Sequence, residues 1–322
     1  MLVVNRVLLV TGCCLSEAQV TRYGASYSRI IELPQPTSPE AIFDAGRMAT
    51  DYILGGPEYI DAVALERMPA LERLVLLGTG VASFVDQSAA AARGLTVMNT
   101  PHMNVESVAE FALAMLIVNA SNAIGSADQV RAGVGWPQGP WKTLREQKIG
   151  IFGLGHIGRA LLQRLHALGV ENVLYASRHR HTEMEREYGL IYVAHTELFQ
   201  NCDSVSIHVS YNPVTHHIIN RAILIAANRD LSILCFANPR VIDPDAARDA
   251  LVLGQIRRLY IDGYYREWQA NRGQVDDPEG LLALPGDRFW ATSHLAAQTH
   301  NAIGRQLEQA LELLSPARRL PK

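Results

Sequence analysis

Cysteine is scarce. The chain has 322 residues and four cysteines, Cys13, Cys14, Cys202 and Cys235. No pair has the C-x-x-C spacing of a metal knuckle or redox motif, and adjacent Cys13 and Cys14 read as small packing residues at a strand end. Long apolar runs are missing too, which argues against a membrane span. The opening VVNRVLLVTG is short, β-branched and stopped by glycine, without a secretory cleavage pattern. An excess of charge of one sign is the third absence. Lys and Arg total 29 against 32 Asp and Glu, a formal net charge of −3, which gives no electrostatic case for nucleic acid or an anionic membrane surface. Internal repeats and low-complexity tracts are absent as well. These exclusions point to a cytoplasmic globular protein that works on a small molecule, with no metal site, no nucleic-acid partner and no membrane. Its length suits two domains.

Short apolar stretches alternate with polar and alanine-rich ones. Strands are expected at 6–11, 29–33, 52–54, 74–77 and 96–98, with helical stretches at 16–23, 39–45, 62–68 and 86–93. A long apolar helix is expected over 105–126. Strands resume at 204–208, 233–237, 258–261 and 289–291, and a last helix covers 301–314. This alternation predicts an α/β fold of two doubly wound parallel sheets. The order is nested: residues 1–101 plus 294–322 form one domain and 102–293 the other, with the site expected in the cleft between them.

Between Lys148 and Arg178 the chain reads strand, glycine turn, helix, strand. Gly153, Gly155 and Gly158 supply G-x-G-x-x-G after the apolar KIGIF and before the amphipathic RALLQRLHALG, the context in which this pattern binds a dinucleotide. The first glycine permits the tight turn, the second lets backbone approach a pyrophosphate, and the third lets the helix pack close. The helix N-terminus then presents partial positive charge to the phosphates. His156 and Ile157 open that helix and are assigned to the cofactor site with the glycines.

A carboxylate is missing where NAD-binding chains usually place one, roughly 20 residues past the glycines. Ala176-Ser177-Arg178 stands there instead. Ser177, Arg178 and Arg180 are suited to hold a 2′-phosphate through charge-assisted hydrogen bonds, so NADP(H) is the preferred cofactor and NAD(H) the alternative. Read the other way, SRHRH is a solvated basic turn.

Four further runs, SVSIHVSYNPVTHHIIN, SILCFANPRVIDPDAA, RRLYIDGYYRE and FWATSHLAAQT, follow the glycine motif at β/α spacing, and NTPHMNVESVAE precedes it. Together they resemble the D-isomer-specific 2-hydroxyacid dehydrogenase family over most of the chain, most weakly in the first 70 residues or so. The resemblance implies a Rossmann-like dinucleotide domain beside a flavodoxin-like substrate domain, a homodimer formed through the helix after residue 104, and hydride transfer to or from a small 2-keto or 2-hydroxy acid. It implies that His294, in Thr292-Ser293-His294-Leu295, is the acid/base, a role suited to imidazole. Glu267, five residues after Asp262, is implied as its partner. His208, Ala237 and Asp262 are implied on the cofactor, Asp262 near the nicotinamide end.

The family's arginine is where the chain departs. Aligning Asp243 with the last residue of the family's V-N-T-A-R-G-G-x-V-D run puts Asn238 at the arginine position. Losing a guanidinium loses the fork that matches a carboxylate. Three readings follow: a substrate without the usual carboxylate beside its carbonyl or imine, such as an imine or a phosphonate-like acid; a substitute guanidinium from Arg240; or lost catalysis in a cofactor-sensing protein. Asn238 also reads as a turn residue before Pro239. Thr79, Gly80 and Val81 resemble a glycine-rich substrate loop and equally an ordinary strand-to-helix turn. Asn104 matches a substrate-contacting position and equally a helix N-cap. Trp136 and Trp141 read as packing or dimer-contact residues.

Overall fold

The structure, a computed structural model, describes residues 5–33, 38–136, 140–265 and 275–315. Two compact units divide them. The first runs to Asn104 and resumes at Gln298; the second takes Val105–Tyr265 and Asp277–Ala297. His294 therefore lies with the second unit, whereas the expected return at 294 assigned it to the first.

The first unit is built on β1 (Val7–Thr11), β2 (Arg29–Leu33), β3 (Asp51–Leu54), β4 (Arg73–Leu76) and β5 (Thr96–Asn99). All pairings are parallel and the order is β2-β1-β3-β4-β5. The central strands are buried along their length because helices cover both faces of such a sheet, which is why they read as apolar runs rather than alternations. Side-chain caps start the helices: Ser16, Ser38, Asp61 and Asp86 each accept a backbone N–H from the first turn. The helix His300–Leu314 packs Leu307, Leu311 and Leu314 against Leu8, Val10, Ile53 and Val75. Fully buried Asp51 accepts from both Arg6 and Arg73, the double pairing a buried carboxylate needs.

The second unit carries β6 (Ile149–Phe152), β7 (Val173–Ala176), β8 (Ile191–Tyr192), β9 (Ser204–Ile207), β10 (Ser232–Cys235), β11 (Arg258–Asp262) and β12 (Phe289–Thr292). Their order is β12-β11-β10-β9-β6-β7-β8, again parallel. The chain steps outward from β6 to β8, then returns beside β6 and steps the other way. The reversal opens a crevice at the carboxyl ends of β6 and β9, the switch point where open α/β sheets bind ligands.

The expected helix over 105–126 is two helices, Val105–Ala120 and Ala123–Arg131, bent by 54°. Asn122 at the break is left-handed, with φ 52°. Buried Arg258 fixes the bend. It donates to the Asn119 carbonyl at 3.1 Å, to Asn119 Oδ1 at 2.8 Å, to Asn122 Oδ1, and to the Asp287 carbonyl at 2.8 Å, so carbonyls freed at the helix end find a donor. Apolar composition runs through the break and hides it. Among the described residues no single helix is long and apolar enough to cross a membrane.

All four Arg258 acceptors are neutral, and burial pushes its guanidinium down to about 10, still charged at neutral pH. Arg258→Met leaves these acceptors unpaired. The variant is expected to lose about 3 kcal/mol, seen as a melting temperature lower by roughly 6 to 12 °C. An unchanged melting temperature would mean that the bend holds without it.

Candidate active site

The glycine turn meets the steric demands of a dinucleotide. Gly153 has φ 100°, and a Cβ there would lie 2.9 Å from the His208 backbone. A Cβ on Gly158 would lie 2.3 Å from the Gly153 carbonyl oxygen and 3.2 Å from Ile151 Cγ2, so helix and strand touch only because it is glycine. A Cβ on Gly155 would meet nothing within 4 Å: space is left on the side a pyrophosphate would occupy. The helix His156–Ala167 begins there, with first-turn N–H groups that have no intrahelical acceptor. His156 is exposed and Ile157 half-buried.

Gly153 N donates to Ala176 O at 2.8 Å, which ties the turn to the end of β7. Ser177 beyond it is half-buried; Arg178 is exposed, its Nε 3.1 Å from His179 Nε2. Arg180 is engaged elsewhere. It grips Glu185 with Nε and a terminal nitrogen at 2.9 Å each. A cavity of about 240 Å³ lies alongside, lined by Arg159, Arg180, His181, Thr182, Glu183 and Met184. Arg159 reaches His181 Nδ1 at 3.3 Å. Neither Arg159 nor His181 was expected from the sequence; the arginine directly after the third glycine was the available signal.

On the other side of β6, His208 follows β9. Its Nε2 lies 2.8 Å from Ser206 Oγ, its ring stacks on Phe236 at 5.7 Å, and its Nδ1 is buried without a hydrogen-bond partner among the described residues. Burial pushes this imidazole down to about 3, so it is neutral at working pH. The glycines, the helix terminus and this orphaned nitrogen together fit a dinucleotide.

β10 ends at Cys235, and Phe236, Ala237 and Asn238 continue half-buried. Asn238 is a turn residue: its Oδ1 accepts from Arg240 N at 3.0 Å and approaches Arg240 Nε at 3.4 Å. The Arg240 guanidinium lies 4.7 Å over the Tyr211 ring. A cation is thus held two residues beyond the position where the family's arginine was expected, by the residue that stands at that position.

Asp262 closes β11 and organises the next turn. Its Oδ1 accepts from Thr292 Oγ1 at 2.6 Å and Leu295 N at 2.8 Å, and its Oδ2 from Ala296 N at 3.0 Å. Tyr260 OH lies 2.6 Å from Thr292 Oγ1; since the threonine gives its proton to the carboxylate, the tyrosine must donate to the threonine. Ser107 Oγ donates to Ala296 O at 2.6 Å. Within this clasp His294 is half-buried and left-handed, with φ 59°. Glu267 lies outside the described residues.

In the first unit, Gly78 N donates to Thr100 Oγ1 at 2.9 Å and Asn99 Nδ2 donates to Thr79 O at 3.2 Å. The loop is anchored through Gly78 and the Thr79 carbonyl. Among the described residues the N–H groups of Thr79 and Gly80 donate to no protein acceptor. Val81 starts a short 3-10 turn. Asn104 is half-buried and makes no capping bond to the helix that follows, among the described residues.

Comparison with known proteins agrees with this geometry. Residues 113–302 match the family model described as D-isomer specific 2-hydroxyacid dehydrogenase, NAD binding domain. A glyoxylate/hydroxypyruvate reductase B of Klebsiella pneumoniae (strain 342) is 30% identical over 253 residues, 77% of this chain and 75% of the relative. A solved D-lactate dehydrogenase from Aquifex aeolicus, complexed with NAD and lactic acid, superposes with a TM-score of 0.77 at 21% identity, over 95% of this chain and 94% of that one. An NAD-dependent formate dehydrogenase from Staphylococcus aureus gives 0.80 at 19% identity, over 96% and 94%. The two structures speak for the fold; the family model and the reductase speak for an NAD(P)-dependent oxidoreductase of hydroxy acids. The chain belongs to the D-isomer-specific 2-hydroxyacid dehydrogenase family.

Proposed function

We propose that the chain is an NADP(H)-preferring reductase of a small 2-keto acid, with His294 as its acid/base. The observation that carries this reading is the clasp around His294: a buried carboxylate, a threonine and a tyrosine all serve to hold one left-handed histidine. Backbone held in that region costs on the order of 1 kcal/mol or more and persists where the surroundings over-determine it. A bound nicotinamide supplies the hydride. His294 gives a proton to the carbonyl oxygen in reduction and takes one in oxidation. Glu267 is assigned as its partner on the family resemblance. Thr79, Gly80 and Val81, with the N–H groups of Thr79 and Gly80 turned to no protein acceptor among the described residues, and Asn104 are assigned to substrate on the same ground. A homodimer would cover the exposed Trp136 and Trp141.

Arg240 takes the substrate carboxylate in this reading, positioned by Asn238 and Tyr211. A hydrogen bond to a charged group contributes roughly 1.5 to 3 kcal/mol, so Arg240→Ala is expected to lower kcat/KM for glyoxylate and hydroxypyruvate by about 10- to 100-fold. The assay is NADPH oxidation against those acids, larger 2-keto acids, aldehydes and cyclic imines. One observation favours a second reading, reduction of an imine or a modified acid: the guanidinium is already seated on the Tyr211 ring. Turnover confined to imines or simple aldehydes, with no effect of Arg240→Ala, would select it.

The NADP(H) preference rests on Ser177 and Arg178 at the end of β7, where the strand end itself carries no carboxylate. Arg178→Asp is expected to weaken NADPH binding by at least about tenfold and to leave NADH within about two- to threefold, by fluorescence titration. Equal losses for both would retire the assignment.

A further inference from the structure

Arg180 stands beside the end of β7, where a 2′-phosphate would arrive, yet its charge is already answered. Its Nε reaches both Glu185 oxygens, at 2.9 and 3.2 Å, and a terminal nitrogen reaches Oε2 at 2.9 Å. Tyr175 OH donates to Glu185 Oε1 at 2.7 Å and accepts from His181 N at 2.8 Å. Tyr175 is fully buried in β7, so this network is anchored to the sheet rather than to a mobile side chain. Arg180 and Tyr175 hold Glu185 ionised, down to about 2. The Glu185 side chain is 13% exposed against 60% for Arg180: the carboxylate sits inside and draws the guanidinium toward it. Among the described residues Arg159, on the same cavity as Arg180, reaches His181 and the Leu154 carbonyl, and Arg178 reaches His179; no carboxylate accepts from either.

We propose that Glu185 is a specificity-determining residue that competes with the cofactor's 2′-phosphate for Arg180 and so limits how strongly the chain prefers the phosphorylated dinucleotide. The inference rests on the NADP(H) reading above. The fork that matches a phosphate is the one that matches a carboxylate, and Glu185 already occupies one edge of it. In the native chain, phosphate recognition therefore falls to Ser177, Arg178 and Arg159, and Arg180 is held in reserve.

The test is calorimetric binding of ADP-ribose and of its 2′-phosphorylated form to the full chain, to Glu185→Gln, to Arg180→Ala and to the double variant. Glutamine keeps the shape and an acceptor for Tyr175, and ADP-ribose binding reports an intact site in each protein. Expected is a gain of about tenfold or more in Glu185→Gln for the phosphorylated ligand alone, little change in Arg180→Ala, and loss of the gain in the double variant, the non-additivity that marks a shared interaction. A tenfold loss in Arg180→Ala alone, or no gain in Glu185→Gln while the wild type favours the phosphorylated ligand, overturns the inference and leaves the NADP(H) reading standing. A wild type that favours plain ADP-ribose, with the preference shifted toward phosphate in Glu185→Gln, sinks the NADP(H) reading and keeps the competition.

Discussion

His294→Asn should lower kcat by roughly 10² to 10⁴, the range for loss of a positioned acid/base, while the dissociation constant for NADPH stays within about two- to threefold. Asparagine is the substitution of choice because the position is left-handed, with φ 59°, a conformation that asparagine tolerates and alanine does not. The turn then stays in place and the proton transfer is lost. kcat and kcat/KM should fall together, the sign of an interaction made in the transition state and not in the ground state. His208 offers no bypass. Burial holds it down to about 3 and neutral, so between about pH 5 and 9 it has no proton to give in His294's place. Steady-state rates on glyoxylate beside a cofactor titration decide the matter. A loss below about tenfold in kcat, with binding intact, would remove His294 from the chemistry.

The parts of this molecule that were legible in advance are those that local pattern encodes. Short apolar runs marked the strands to within one or two positions, because a sheet covered on both faces needs unbroken apolar segments. The glycine turn was legible because three backbone demands fall on three fixed positions. β8 escaped, since Ile191–Tyr192 is too short and too exposed to leave a periodic signal. The helix break at Asn122 escaped because its cause, Arg258, lies 136 residues away. Asn238 was legible as a turn residue, but its grip on Arg240 needed coordinates. Arg180 shows a further limit: five residues separate it from Glu185, yet a basic loop and an acidic helix turn look alike whether they solvate separately or pair.

Asp262 is the second position where a large loss is expected, and the pattern of loss decides between two roles. The family resemblance places this carboxylate near the nicotinamide; in the structure its oxygens accept from Thr292, Leu295 and Ala296. If it touched the cofactor alone, Asp262→Ala would weaken NADPH binding and spare kcat at saturation. If it holds the turn, Asp262→Ala frees two backbone N–H groups and the Thr292 hydroxyl, and His294 loses the frame that keeps it left-handed. A misplacement of about 1 Å at a reacting group costs on the order of 10² in rate, so kcat should fall by about that factor with NADPH affinity nearly unchanged. Stability should drop too, by about 2 to 3 kcal/mol. Thr292→Val, which removes one hydroxyl and keeps the branched shape, should lower kcat by less, roughly 5- to 10-fold, and leave Asp262 bonded to Leu295 and Ala296. Graded losses in kcat from Thr292→Val to Asp262→Ala, with cofactor binding flat across both, would establish the carboxylate as the positioning residue for His294. A loss confined to cofactor affinity would move Asp262 to the nicotinamide and leave the left-handed turn to be held by other bonds, among them Ser107 to Ala296 and Gly263 to Thr292.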